Sequence, residues 1–323
     1  MLYFFQQLIV VFNAVAPFFL VMGVGWFVRR IGLVGDPFFG GLNKLAFFCF
    51  FPALLFMNMY RADLAAAFDP ALVGYFVAGL GTIYLILWVI AARSLSDRQR
   101  VAAFVQAAYR SNYTVLAIAI VTSLMGPESL PQTALMMPVV IGFQTILAAT
   151  LFVVTGLDTK VSSGERMKSV LVGILKMPMV VVAIVGLLFN FSGLGLPLVV
   201  DRSLSNVAAM AAPAGLIAIG GALSMEKVRR HLRFAIATTA VKNLVVPLVF
   251  IAPAILLGFR GVELAILAMV GLSPVASISY VTAVEMGGPE AGDLTAGCLV
   301  LSNAVGVFTI IPGLAILRAL GLF

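Results

Sequence analysis

Ten stretches of the chain are nearly free of charge: 8–28, 45–60, 70–92, 101–127, 129–157, 177–200, 203–225, 234–259, 264–284 and 294–317. None shows the two-residue alternation of a membrane β-barrel strand. A helix of about 20 apolar residues crosses the hydrocarbon core of a bilayer, so the pattern predicts ten membrane spans. The 45–60 run is short, but extends backwards through Lys44 and Asn43. Arg110 interrupts the fourth run and Lys242 the eighth. The first run does not read as a cleavable signal peptide, because no basic residue precedes it and Arg29–Arg30 follow it.

Composition agrees with the pattern. Of 323 residues, 62% are apolar and 10% charged. Soluble domains carry about 25% charged residues, so a soluble enzyme is excluded. Disorder is excluded too, because it needs low hydrophobicity and high charge. The net charge of +7 does not point to nucleic acid, since no basic domain stands outside the apolar runs. Cys49 and Cys298 lie inside apolar runs and read as packing residues. There is no metal spacing, no Walker A sequence and no dinucleotide-binding glycine pattern. The chain reads as no enzyme and no ATPase, with no cofactor and no metal.

Shifting the first five spans by 161 residues lays them on the second five, and Pro52-Ala53 falls on Pro213-Ala214. Ser111-Asn112 falls within one residue of Ser273-Pro274. Five spans per half is an odd number, so the second half must enter the membrane from the opposite side. The expected architecture is all-α and polytopic: two inverted five-helix repeats, 1–157 and 177–323, joined by a short linker, 158–176. Inverted repeats of this kind are common in secondary transporters.

Placing the spans divides the positive charge. The loops after spans 1, 3, 5, 7 and 9 hold twelve Lys and Arg, while the opposite side with both termini holds Arg61, Arg202, Arg260 and Arg318. The bias puts the odd loops in the cytoplasm and both termini outside. Lys176 can snorkel from a helix end. Lys44, Arg110 and Lys242 remain within spans.

Span 4 reads Tyr109-Arg110-Ser111-Asn112-Tyr113-Thr114 about halfway along, and span 9 reads Gly271-Leu272-Ser273-Pro274-Val275-Ala276-Ser277 at the matching place. Polar residues at this depth must face protein or water. Proline removes a backbone donor and breaks the helix. Two broken helices at inverted positions cross, and their half-helix N-termini carry partial positive charge toward the crossing. That favours an anion, commonly a carboxylate. The candidate substrate-binding residues are Arg110, Ser111, Asn112, Tyr113, Ser273, Pro274, Ser277 and Asn43. Lys242, Asn243, Gln144, Asn303 and Glu285 are candidates for ion coupling or for support of the broken backbone, as is Ser302. Ordinary kinks in packed helices are the plainer reading of the prolines in spans 2 and 7. Gly220-Gly221 and Gly287-Gly288 read as close packing or turns.

The string Tyr109-Arg110-Ser111-Asn112-Tyr113-x-x-Leu116 resembles the span-4 motif of the auxin efflux carrier family. The span-2 segments Leu42-Asn43-Lys44-Leu45 and Phe51-Pro52-Ala53-Leu54-Leu55-Phe56 are similar to that family as well. The short central loop resembles bacterial members, malonate and related carboxylate carriers, more than the plant exporters. The resemblance implies a fold of the sodium/proton antiporter and bile-acid symporter type. Spans 1, 2, 6 and 7 would form a scaffold and dimer interface, and spans 3–5 and 8–10 a mobile transport domain moving as an elevator. Asn112 and Ser273-Pro274 would flank the substrate. Bacterial members often carry a proline soon after the span-4 asparagine. Leu116-Ala117-Ile118-Ala119 has none, which implies a shallower break here.

The expectation is a secondary transporter of small organic anions, carboxylates or auxin-like acids, with Na⁺ or H⁺ coupling open. It would act as a homodimer in the lipid bilayer with no nucleic-acid partner. The alternatives are a cation/proton antiporter on the same fold, which usually needs a mid-membrane aspartate, and a non-transporting receptor.

Overall fold

The computed structural model describes residues 2–61, 69–155, 178–222 and 225–323. The expected linker, 158–176, lies outside the described residues. Among the described residues the fold is all helix, in order: α1 Leu2–Arg30, α2 Asp36–Leu45, α3 Phe51–Arg61, α4 Pro70–Ser94, α5 Arg98–Tyr109, α6 Tyr113–Met125, α7 Leu130–Val154, α8 Pro178–Ser192, α9 Leu198–Ala209, α10 Ala211–Ala222, α11 Met225–Arg230, α12 Leu232–Ala240, α13 Val246–Leu256, α14 Gly261–Leu272, α15 Ser277–Gly287, α16 Pro289–Val305 and α17 Val307–Ala319.

Among the described residues, six helical segments are long and apolar enough to cross a membrane, and α16 with α17, bent by 51°, would make a seventh. Two of the six contain a widened π-helical turn, Ala46–Phe50 between α2 and α3 and Val241–Val245 between α12 and α13. Two of the other expected spans are interrupted, and one is described in part. The fourth is α5 plus α6, the ninth is α14 plus α15, and the sixth is described only from Pro178 onward. The protein is thus an all-α integral membrane protein.

Local chemistry sets several helix ends. Asp69 caps α4, its Oδ1 accepting from the amides of Ala71 at 2.8 Å and Leu72 at 3.2 Å, with Pro70 at the first helical position. Asp97 caps α5 by accepting from Gln99 N at 2.9 Å. Gly126 and Gly288, at φ of 92° and 86°, end α6 and α15 in a conformation that favours glycine. The Gly287-Gly288 pair is therefore a turn.

Glycines also permit close helix packing. A Cβ on Gly25 would collide with the Ile217 carbonyl, and one on Gly220 with the Met22 carbonyl, so α1 and α10 pack backbone to backbone. One on Gly221 would strike the Phe39 ring. Gly186 similarly lets α8 approach the Phe56 carbonyl on α3. Burial is deepest in α5 and α14, where long runs of consecutive residues are buried. By contrast, α1 exposes Phe5, Ile9, Phe12, Leu20 and Phe27, an outward apolar face suited to lipid. Cys298 packs with Ala107, Ala235 and Val275, whereas Cys49, read as a packing residue, is exposed.

Candidate functional site: the crossing of two broken helices

Both breaks fall at the positions read from the sequence. Pro274 explains the second. The residue before a proline is pushed out of the helical region, and Ser273 ends α14 at ψ 137°. The first break lacks proline and glycine, yet it is complete: Arg110 is extended at ψ 115°, and a new helix begins at Tyr113. The expectation of a shallower break is therefore wrong. Tertiary hydrogen bonds take the place of a helix breaker. Ser111 and Val275 form an antiparallel bridge, the Asn112 amide donates to Pro274 O at 2.8 Å, and the Ala276 amide donates to Arg110 O at 3.4 Å. Non-helical backbone at membrane depth persists only where such partners exist.

Side chains from neighbouring helices hold each broken segment. On the first, Gln144 of α7 donates from Nε2 to Ser111 Oγ at 2.9 Å, and the Tyr109 hydroxyl donates to Gln144 O at 2.8 Å. On the second, the Val275 amide donates to Ser302 Oγ at 3.1 Å, and Asn303 Nδ2 donates to Val275 O at 3.1 Å. Ser302 Oγ in turn donates to Asn243 Oδ1 at 2.7 Å. The polar residues of α7 and α16 thus bond to the broken backbone and its serine.

The two embedded cations differ in their surroundings. The Arg110 guanidinium is buried and donates to Thr282 Oγ1 and Thr145 Oγ1, each at 3.2 Å. Lys242 is fully buried in the π-helical turn, and its ammonium approaches Gly271 O at 3.5 Å. Gly271 lies in the last turn of α14, where carbonyls lack helical partners and the helix dipole is negative. The ion pairs among the described residues, such as Arg61–Asp201 and Arg230–Asp293, involve neither Arg110 nor Lys242. Glu285 lies on α15, but its side chain is outside the described residues.

Asn112 stands at the start of α6. Its side chain is buried, makes no capping bond to α6, and among the described residues its Nδ2 has no partner. The first amides of α6 have no intrahelical acceptor either. Ser273 Oγ is likewise buried without a partner. These groups supply unspent donors at the crossing. Tyr113 turns elsewhere, its hydroxyl donating to Thr133 O at 3.0 Å. Pro274 is buried, and Ser277, the first residue of α15, is half-buried. Asn43 is half-buried on α2 and joins none of the hydrogen bonds of the crossing, and Lys44 is exposed. Sequence reasoning missed Gln106, one turn before the first break. It is fully buried and ties α5 to α15 by donating to Ser279 O at 3.0 Å. A glutamine among alanines in an apolar run was the signal available.

Beside α6 lies a cavity of about 420 Å³, bounded by Phe18 of α1, Phe51 and Leu54 of α3, Ile118 and Thr122 of α6, and Ala212 of α10. It begins a turn or two along α6 from Asn112. Its lining is apolar apart from hydroxyls such as that of Thr122, which is buried and unpartnered.

Two comparisons bear on this arrangement. The model of a family described as membrane transport protein matches residues 10–311. An uncharacterized transporter from Methanothermobacter thermautotrophicus is 22% identical over 288 residues, covering 89% of this chain and 92% of that protein.

Proposed function

This chain belongs to the membrane transport protein family, as its auxin-carrier-like motifs imply, and on that premise we propose that it carries small organic anions, chiefly carboxylates, by secondary active transport. The observation that carries the reading is Asn112: a buried amide with an unspent donor at the N-terminus of a half-helix. A carboxylate there would accept from Asn112 Nδ2 and the first amides of α6, charge-assisted bonds stronger than neutral ones. Arg110 and Lys242 support it, because a buried cation with no ion pair among the described residues favours an anion nearby.

The mechanism proposed takes its two bodies from the family resemblance. Helices α1–α3 and α8–α10 form one body, the scaffold and dimer face. The remaining helices form the second, which carries the crossing and moves as an elevator. The cavity beside α6 lies between the two bodies and provides a route to Asn112. The two halves are inverted, with both termini outside a bacterial inner membrane. Cation/proton antiport on the same fold would call for a carboxylate in the crossing, and residues 110–113 and 273–277 contain none.

Purified protein tests this by thermal shift against monocarboxylates, dicarboxylates and indole acids, each with and without sodium. Carboxylates are expected to raise the unfolding temperature. A shift with cations alone would favour antiport instead.

A further inference from the structure

Val275 lies between Pro274 and Ala276, whose backbone groups bond the first broken segment. Its amide follows Pro274, lies at the end of a helix break, and is fully buried. It has no helical acceptor and depends on Ser302 Oγ, 3.1 Å away. A hydroxyl can rotate away unless its own proton is committed. Here it is committed, to Asn243 Oδ1 at 2.7 Å. Asn243 also donates from Nδ2 to Ser302 O at 3.2 Å, so the two residues are joined by a reciprocal pair. Ser302 is fully buried and Asn243 nearly so.

We propose that Asn243 is a positioning residue, which fixes the Ser302 hydroxyl on the Val275 amide and through the Val275–Ser111 bridge sets the orientation of Asn112. The local structure of α12 and α13 fits the role. Asn243 sits in the widened turn Val241–Val245, and π-helical turns of this kind frequently occur at functional sites. The same turn presents Lys242 to Gly271 O on the other side of the broken segment. One turn therefore grips both the end of α14 and the start of the pairing with Ser111. The first broken segment has a shorter arrangement: Gln144 reaches Ser111 directly. The relay makes a turn of another helix a determinant of the site.

The test uses the full chain in lipid nanodiscs and hydrogen–deuterium exchange over residues 270–280. Loss of the Ser302 acceptor or of its Asn243 anchor should raise exchange at the Val275 amide about five- to tenfold, the order of one lost hydrogen bond. Ser302→Ala and Asn243→Leu should both do this, the leucine variant conserving volume where Asn243→Ala would leave a cavity. Ser302→Thr keeps the hydroxyl and should stay within about twofold of the natural chain. The double variant should exceed neither single by much, as expected of coupled residues. In liposomes loaded for uptake of [¹⁴C]malonate and [¹⁴C]benzoate, Asn243→Leu should raise KM with kcat nearly unchanged, and Ser302→Thr should keep the KM of the natural chain. Unchanged exchange in both Ser302→Ala and Asn243→Leu would overturn the relay. The effect on KM rests on the proposed function. A natural chain that carries neither acid contradicts that reading, and the exchange result still decides the relay.

Discussion

Ser111 and Val275 pair as an antiparallel bridge where two helices have each given up three or four residues of helical structure. The bridge explains how a break without proline or glycine can be complete. Ser111 gains Gln144 and Val275 gains Ser302 and Asn303, so little polar backbone is left to the lipid. Asn112 Nδ2, next to this satisfied bridge, stays unpartnered. The contrast between a held backbone and a free side chain suits a binding site that must be rigid before ligand arrives.

Replacing Gln144 with leucine removes the donor to Ser111 while keeping the bulk. Loss of one buried hydrogen bond costs about 1 kcal/mol or more when its partner is left unsatisfied. The expected result is a lower unfolding temperature and weaker carboxylate binding. Gln144→Asn, which keeps an amide donor on a shorter arm, should recover part of both. Thermal unfolding in detergent, with and without ligand, reads the two effects.

The close packing of α1 on α10 can be tested by size alone. Gly220→Leu would drive a side chain into the Met22 carbonyl and Gly25→Leu one into Ile217. Overpacking against backbone costs about 1–3 kcal/mol or more, so both variants should fail to give monodisperse protein on size exclusion. Gly23→Leu on the same helix has open space around it and should behave as the natural chain does. Equal behaviour of all three would contradict the packing described.

Lys242 separates charge from packing. Methionine has similar length and no charge, and replacing buried ions with apolar groups of similar volume is often neutral or stabilising. Lys242→Met should therefore keep or raise the unfolding temperature. Carboxylate affinity should fall about tenfold or more, the effect of losing about 1.4 kcal/mol of attraction. A fall in stability with affinity intact would make the lysine a purely structural cap on α14.

Arg318 on α17 ties the two proposed bodies together. Its Nε donates to Gln7 Oε1 of α1 at 2.8 Å, and Nη1 donates to Leu124 O of α6 at 3.4 Å. An elevator movement must break the bond to Gln7. Gln7→Ala should therefore shift the balance of conformations about two- to fivefold, the order of one partly buried hydrogen bond. Spin labels at the exposed Leu33 and Leu257 report that balance as a change in the distance distribution. An unchanged distribution would argue against motion between these bodies.

Much of this was legible in the sequence because the bilayer is a strict solvent. Apolar runs long enough to span it become helices, and the polar strings at 109–114 and 271–277 read as breaks, with ordinary kinks as the alternative. Glycine and proline carried the rest: Pro274 marked its break, and Gly220-Gly221 marked a close approach. The completeness of the first break was not legible, because it depends on the Val275 and Gln144 partners, which no local propensity encodes. The support given by Gln144, Ser302 and Asn303 was legible as polar residues at the matching depth, but the pairing of Ser302 with Asn243 was not. Asn243 and Ser302 lie 59 positions apart, and only packing of α12, α13 and α16 joins them. Asn43 read as a candidate from its motif, yet it joins no hydrogen bond of the crossing.

The central claim is that Asn112 binds the carboxylate of a transported anion. The most direct measurement is uptake of [¹⁴C]malonate and [¹⁴C]benzoate into liposomes by the natural chain and by Asn112→Ala, with protein orientation and amount matched. Uptake of at least one acid by the natural chain, reduced about tenfold or more in Asn112→Ala as a lost charge-assisted bond requires, is the predicted result. Uptake that is the same in both proteins would contradict the claim.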